Sequence, residues 1–219
     1  MPCPSPVHFL HIPKTGGTAI LAALSPYIEA GQLVWHGHDV RLRDLPTNGA
    51  IVFFLRHPLS RFVSGFNSRL RQGRPTYPNI PWTQEQAEIF REFRSPNELA
   101  ESLSSTDRAV QARARSAFEH IGLIKTYRYW FAGVDEIRER RSQILLIGTQ
   151  ESLSSDFPRL KSLMGLPADL MLPSDDVTAH RALASDDKEL SSLAVANLSF
   201  HYEWDMHFFQ QACNLRAAA

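Results

Sequence analysis

Val7-His8-Phe9-Leu10-His11-Ile12-Pro13-Lys14-Thr15-Gly16-Gly17-Thr18-Ala19-Ile20-Leu21 is the stretch on which the fold turns. Its first five residues are short, rich in β-formers and bounded by Pro13. Beyond Thr18, Ile20, Leu21, Leu24 and Ile28 recur at helical spacing. The unit is therefore a strand, a glycine turn and a helix. The pattern continues downstream. Leu33-Val34-Trp35 reads as a second strand ending in His36-Gly37-His38. Ile51-Val52-Phe53-Phe54-Leu55 is an uninterrupted apolar run, as a strand buried on both faces requires. It stops at Arg56-His57-Pro58, where Pro58 suits the first turn of a following helix. Ile144–Ile147 predicts another buried strand, ended by Gly148, with a helix over Asp156–Met164 stopped by Gly165. Strands alternating with helices predict an α/β domain with a central parallel sheet covered on both faces.

The middle of the chain has a different texture. Arg74-Pro75, Tyr77-Pro78 and Ile80-Pro81 make a proline-punctuated loop. Thr83 with Gln86, and Ser95-Pro96 with Glu98, have the form of two capping boxes that open helices. Residues 72–122 are expected to be a helical and loop insertion within one domain spanning 1–219. A helical stretch follows over Lys188–Ser199. The aromatic run Phe200, Tyr202, Trp204, Phe208 and Phe209 is expected to pack in the core.

Composition narrows the function classes. The chain has 219 residues, with 23 basic and 23 acidic side chains that cancel. Balanced charge argues against non-specific binding to nucleic acid or to an anionic membrane, while leaving room for a local basic cleft. No stretch is long and apolar enough to span a bilayer. The N-terminus lacks a charged-then-apolar leader, so the expectation is a cytoplasmic protein, complete without an anchor. Cys3 and Cys213 stand near opposite termini, which offers neither a zinc quartet nor a disulfide framework, although the two pair if the termini meet.

In a parallel α/β sheet, ligands bind beyond the C-terminal strand ends. Three polar turns fall at such ends: Lys14–Thr18, His36–His38, and Arg56 onward. In the first, Gly16 and Gly17 let backbone amides turn toward an anion, and the helix that begins there adds its dipole. Lys14 adds a full charge, and Thr15 and Thr18 add hydroxyls. The string is not a Walker A loop, in which the lysine follows the glycines. In the third turn, Arg56 is placed to grip a phosphate bidentately. Ser60 and Ser64 lie one turn apart on a helix starting near Pro58, with Arg61 three residues before Ser64. Two anion sites on adjacent strand ends fit a ligand with two separated anionic groups, such as a 3′,5′-bisphosphorylated nucleotide.

His11-Ile12-Pro13-Lys14-Thr15-Gly16-Gly17-Thr18 resembles the 5′-phosphosulfate loop of carbohydrate sulfotransferases that use 3′-phosphoadenosine-5′-phosphosulfate (PAPS). Arg56-His57-Pro58 through Ser64 is similar to their 3′-phosphate motif, Arg-Asp/Asn-Pro-x-x-Arg-x-x-Ser, with His57 in the acidic or amide position. The branch in question includes the heparan sulfate 2-O-sulfotransferases and uronyl sulfotransferases. Ile147-Gly148-Thr149-Gln150-Glu151, its helix and Leu166 resemble a later family segment. The likeness is specific over Val7–Leu70, fair over Ile144–Leu166 and weak between. It implies a three-layer, P-loop-like α/β domain that needs no metal. It also implies that Lys14 contacts the bridging oxygen of the leaving group. Thr15, Gly16, Gly17 and Thr18 would wrap the 5′-phosphate, and Arg56 and Ser64 would hold the 3′-phosphate. Adenosine 3′,5′-bisphosphate would be the product. The family's late His-x-Asn segment finds only His180-Arg181-Ala182 here, without the asparagine.

His36-Gly37-His38 follows a strand, so both imidazoles are expected on one face. Two histidines at that spacing suit a metal, but no third ligand stands nearby. They equally suit plain hydrogen bonding at a strand end. In a sulfuryl transfer the acceptor hydroxyl must lose its proton, and histidine suits that near neutral pH. The resembling 2-O-sulfotransferases carry a His-x-His pair whose second member is their presumed base, which implies His38 as base and His36 as its substrate-orienting partner. His8 and His11 are read as alternating strand residues, and His57 as a cap. The acceptor expected is a hydroxyl-bearing small molecule or glycan, with Arg69, Arg71 and Arg74 on its side or simply solvated. Two alternatives remain. A P-loop kinase would need a lysine after the glycines and an Mg²⁺-binding Asp where Arg56 stands. The other is a non-catalytic module that retains the nucleotide pocket but has lost turnover, against which an intact Lys14 and His38 argue.

Overall fold

Buried apolar runs set the strands, and the turns between them set the order. A computed structural model describes residues 6–77, 79–175, 177–179 and 182–217. Cys3, His180 and Arg181 lie outside the described residues, and with them the Cys3–Cys213 pairing that the sequence leaves open and the His180-Arg181 segment. In chain order the elements are β1 (Val7–Leu10), α1 (Gly17–Glu29), β2 (Leu33–His36), β3 (Ala50–Leu55), α2 (Pro58–Leu70), α3 (Gln84–Glu92), α4 (Pro96–Ser102), α5 (Arg108–His120), α6 (Val134–Glu139), β4 (Ile144–Thr149), α7 (Leu153–Met164), α8 (Ser192–His201) and α9 (Glu203–Ala217).

The four strands form one all-parallel sheet in the order β2-β1-β3-β4. Helices flank it, as in a three-layer, P-loop-like α/β fold. The chain divides into two compact units. The first comprises Met1–His57, Tyr127–His180 and His207–Ala219, and it contains the whole sheet. On one face, Ile20 and Leu24 of α1 and Phe157 and Leu160 of α7 pack with Val7, Phe9, Val52, Phe54 and Leu146. On the other, Phe53 meets Phe131, which meets Phe208 of α9. Both faces are therefore dry, which is why β3 can be apolar at every buried position. Asp156, 2% exposed, accepts from the Thr149 amide and from Arg216, tying the end of β4 to α7 and α9.

The second unit comprises Pro58–Thr126 and Arg181–Met206. It takes in the 72–122 segment, and begins earlier, at α2. Both capping boxes form as expected. The Thr83 hydroxyl accepts from the Gln86 amide at 3.2 Å while Gln86 accepts from the Thr83 amide, and Ser95 and Glu98 exchange the same pair of bonds. Phe62, Phe66, Phe90, Phe93, Leu99, Phe118 and Leu198 make its core.

Several sequence expectations need correction. β4 runs through Gly148 to Thr149. Gly148 does not end the strand, because the Phe54 ring lies where its side chain would stand, 2.3 Å from the place of a Cβ. α7 starts at Leu153, ahead of Asp156, and α8 starts at Ser192, capped by Ser191 through the Ala194 amide. Of the aromatic run, Tyr202 and Phe208 are buried, but Phe200 is 83% exposed.

Candidate active site

The turn after β1 carries two left-handed residues. Lys14 has φ +68° and Gly16 φ +89°, while Thr15 and Gly17 do not have positive φ. Alternating backbone handedness of this kind curls successive N–H groups inward into an anion-binding nest. Gly16 is also the N-cap of α1 and supplies no capping side chain, and the first turn of the helix carries no acidic residue. The positive end of the helix dipole therefore faces the same concavity. The Thr15 hydroxyl does not point into it: buried at 1% exposure, it donates to the Ile12 carbonyl at 2.8 Å. What Thr15 offers an anion is its amide. Thr18 lies in the first turn of α1.

Arg56 stands one residue beyond β3, two strands' ends from His36 along the same edge of the sheet. Its backbone is clamped by Tyr127, whose hydroxyl donates to the Arg56 carbonyl at 2.6 Å and accepts from the Arg56 amide at 2.9 Å. The next amide, of His57, donates to Glu151. The Arg56 guanidinium donates to the Lys14 carbonyl at 3.3 Å. The two anion sites read from the sequence are thus joined by a hydrogen bond within the first unit.

Ser64 lies on α2 and belongs to the second unit, partly buried. Arg61 is not at an anion site, contrary to the helical-spacing expectation. It is 1% exposed and inside the second unit, where it donates to the Leu123 and Lys125 carbonyls and lies 3.9 Å from Asp205, also 1% exposed. Arg69 and Arg71 are half-buried and engaged within the second unit, while Arg74 is exposed. Arg69 binds Gln86 and the Ile80 and Pro81 carbonyls, and Arg71 pairs with Asp186.

The histidines also depart from expectation. β2 ends at His36, so His36 and His38 are not consecutive outward positions of one strand. His36 Nε2 lies 2.9 Å from Nδ1 of His8. His38 instead meets the ring of His11, centroids 4.5 Å apart, and His11 in turn meets Trp35 at 4.8 Å. Trp35 and His36 are adjacent and face opposite sides of the sheet. The pair is therefore split: His36 faces His8, and His38 joins His11 on the side of Trp35. The His38 carbonyl accepts from Trp130 Nε1 at 2.8 Å, and Tyr129 donates to Asp39 at 3.2 Å, which anchors the turn while leaving the His38 ring exposed.

Charge states follow from these neighbours. Desolvation lowers the pKa of His38; Asp39 pulls it up, and Lys14 pushes it down again. Burial pushes His11 down to about 3, with His38 and Lys14 adding to the effect. His36 and His8 are lowered as well, chiefly by burial, and then by His8 and by Arg140 respectively. All four rings are neutral at pH 7. Lys14 acts electrostatically on both His11 and His38. Among the described residues, no three His, Cys, Asp or Glu side chains are grouped to hold a metal ion, and no helix is long and apolar enough to cross a membrane.

The edge can thus hold an anion through backbone amides, Lys14 and Arg56, and can accept a proton at His38. Sequence reasoning missed His11. Its only signal was position, two residues past Phe9 and just ahead of the loop. No protein-family model matches this chain, and no curated protein matches it.

Proposed function

We propose that the protein transfers a sulfuryl group from PAPS to a hydroxyl acceptor, with a sugar hydroxyl the best fit to the resemblance. The observation that carries the proposal is a phosphate-type nest at Lys14–Gly17 together with a neutral, exposed His38 on which the Lys14 charge acts. Bound PAPS would supply the sulfuryl group from its phosphosulfate anhydride, with adenosine 3′,5′-bisphosphate as the leaving group. Lys14 and the amides of Thr15, Gly16, Gly17 and Thr18 suit its 5′ end, and Arg56 a phosphate. His38 takes the proton of the acceptor hydroxyl, because a neutral imidazole is the form that can accept it. Lys14 faces the negative charge that grows on the departing oxygen. His36, beside His8 on the opposite side of the sheet from His38, has no part in the proposal. The cytoplasmic location belongs to the same proposal.

The test is calorimetry with adenosine 3′,5′-bisphosphate, ATP and ADP, each with Mg²⁺ and with a chelator. Tighter binding of the bisphosphate, indifferent to chelator, is expected. Tighter ATP binding that requires Mg²⁺ would turn the case to a kinase.

A further inference from the structure

We propose that His11 is a positioning residue, whose imidazole is wedged between Gly17 of the anion loop and the ring of His38 and so holds the base in place beside the loop. The inference deepens the proposed function, since it rests on His38 being the base.

Three contacts define the wedge. A Cβ at Gly17 would stand 2.1 Å from Nε2 and 2.2 Å from Cδ2 of His11, so the ring fills the space that any other residue at 17 would claim. The same ring meets His38 at 4.5 Å and Trp35 at 4.8 Å. Gly17 is the first residue of α1 and Trp35 belongs to β2, so His11 is held from the loop side and the sheet side together. His38 is then fixed twice: its carbonyl by Trp130, its ring by His11. Without the second support its side chain would keep its backbone anchor but lose its direction.

The chemistry of His11 suits support more than proton transfer. Buried and next to Lys14, it stays unprotonated down to about pH 3, so it leaves the proton to His38. The charged and titratable groups facing the pair are Lys14 from the loop and Asp39 beside His38, the latter bonded to Tyr129. Part of the desolvation that lowers His38 comes from atoms packed on it, and the His11 ring is the aromatic neighbour seen against it. Removing that ring moves His38 upward, toward the ordinary imidazole value.

The experiment is histidine-selective NMR on the intact protein without nucleotide, together with kinetics. In the wild type, cross-relaxation peaks are expected between the ring protons of His11 and those of His38 and Trp35. The titration midpoint of His38 should rise in His11→Ala and stay near the wild-type value in His11→Phe, which keeps the ring. In sulfuryl transfer, His11→Ala should lower kcat on the order of 10²-fold, the scale of a misplaced catalytic group, with a smaller change in the donor KM and partial recovery in His11→Phe. Absent ring-to-ring peaks in the wild type, or an unchanged His38 midpoint in His11→Ala, overturn the proposal. Should His11→Ala fail to fold, the wild-type peaks and the His11→Phe midpoint decide it. Should both NMR results hold while no sulfuryl transfer is detected, the wedge stands and the proposed function fails.

Discussion

Replacing Gly17 with alanine puts the packing around the loop under direct load. Gly17 lacks a positive φ and opens α1, so backbone geometry permits alanine there. Helix propensity alone would favour the change by up to roughly 0.8–1.0 kcal/mol. Against this, the new Cβ would lie 2.1 Å from His11 Nε2, where real Cβ contacts essentially never fall below 3.0 Å. The ring must retreat by about 0.9 Å, the difference between those two distances, toward Trp35 and His38. Overpacking of this kind costs about 1–3 kcal/mol. The net expectation for Gly17→Ala is a loss of about 1 kcal/mol in stability. His11→Ala empties the contested space, so the double variant should be more stable than the sum of the two single effects, with a coupling of about 0.5–3 kcal/mol. Urea unfolding of wild type, both singles and the double, followed by tryptophan fluorescence, reads the four free energies. Additivity within about 0.5 kcal/mol, as for sites that do not touch, would refute the wedge.

Other outcomes follow from the same geometry. Arg56→Ala should weaken binding of adenosine 3′,5′-bisphosphate by roughly 1.5–3 kcal/mol and binding of adenosine 5′-phosphate far less, as read by calorimetry; equal losses would remove Arg56 from a 3′-phosphate role. Arg61→Met should cost about 3–5 kcal/mol in urea unfolding, because it removes a buried cation that faces the buried Asp205 and donates to the Leu123 and Lys125 carbonyls, and Asp205→Leu on top should restore part of it. A cost below about 1 kcal/mol would mean that the pair carries no such weight. Stability should also fall on mild acidification. His8, His11, His36 and His38 all have folded pKa values below the ordinary value of about 6.5, so the unfolded chain takes up protons first. Their contribution is fully present above about 6.5 and declines as pH drops below it. Urea midpoints measured from pH 7 to about 5, above the main carboxylate range, should fall in the wild type and fall less in His11→Phe.

The strand, glycine turn and helix were legible because each is a local pattern: an apolar run, a left-handed glycine, a helical spacing. The boxes at Thr83 and Ser95 and the stop at Gly165, with φ +66°, were legible for the same reason. What escaped depends on partners distant in sequence. Arg61 shares a helix with Ser64, and nothing within that helix foretells Asp205 and two carbonyls awaiting it in the core. His36 and His38 have strand spacing, but the strand ends between them, and each turns to a different histidine of the β1 segment. Gly148 looked like a terminator because a glycine in a strand is costly; the reason it stays in β4 is the Phe54 ring on the neighbouring strand. Gly17 looked like a residue chosen only for an anion, while the space it leaves is filled by His11.

Transfer of labelled sulfate from PAPS to a panel of hydroxyl acceptors, followed against pH, tests the central proposal most directly. The wild type should sulfate at least one acceptor, with a rate that rises with pH through a midpoint below the ordinary imidazole value of about 6.5. Lys14→Ala should lower turnover about 10²–10³-fold. His38→Ala should lower it on the order of 10²–10⁴-fold and abolish the rise with pH, while nucleotide binding stays nearly unchanged. No transfer to any acceptor by a protein that binds adenosine 3′,5′-bisphosphate, or a pH limb that survives in His38→Ala, would contradict it.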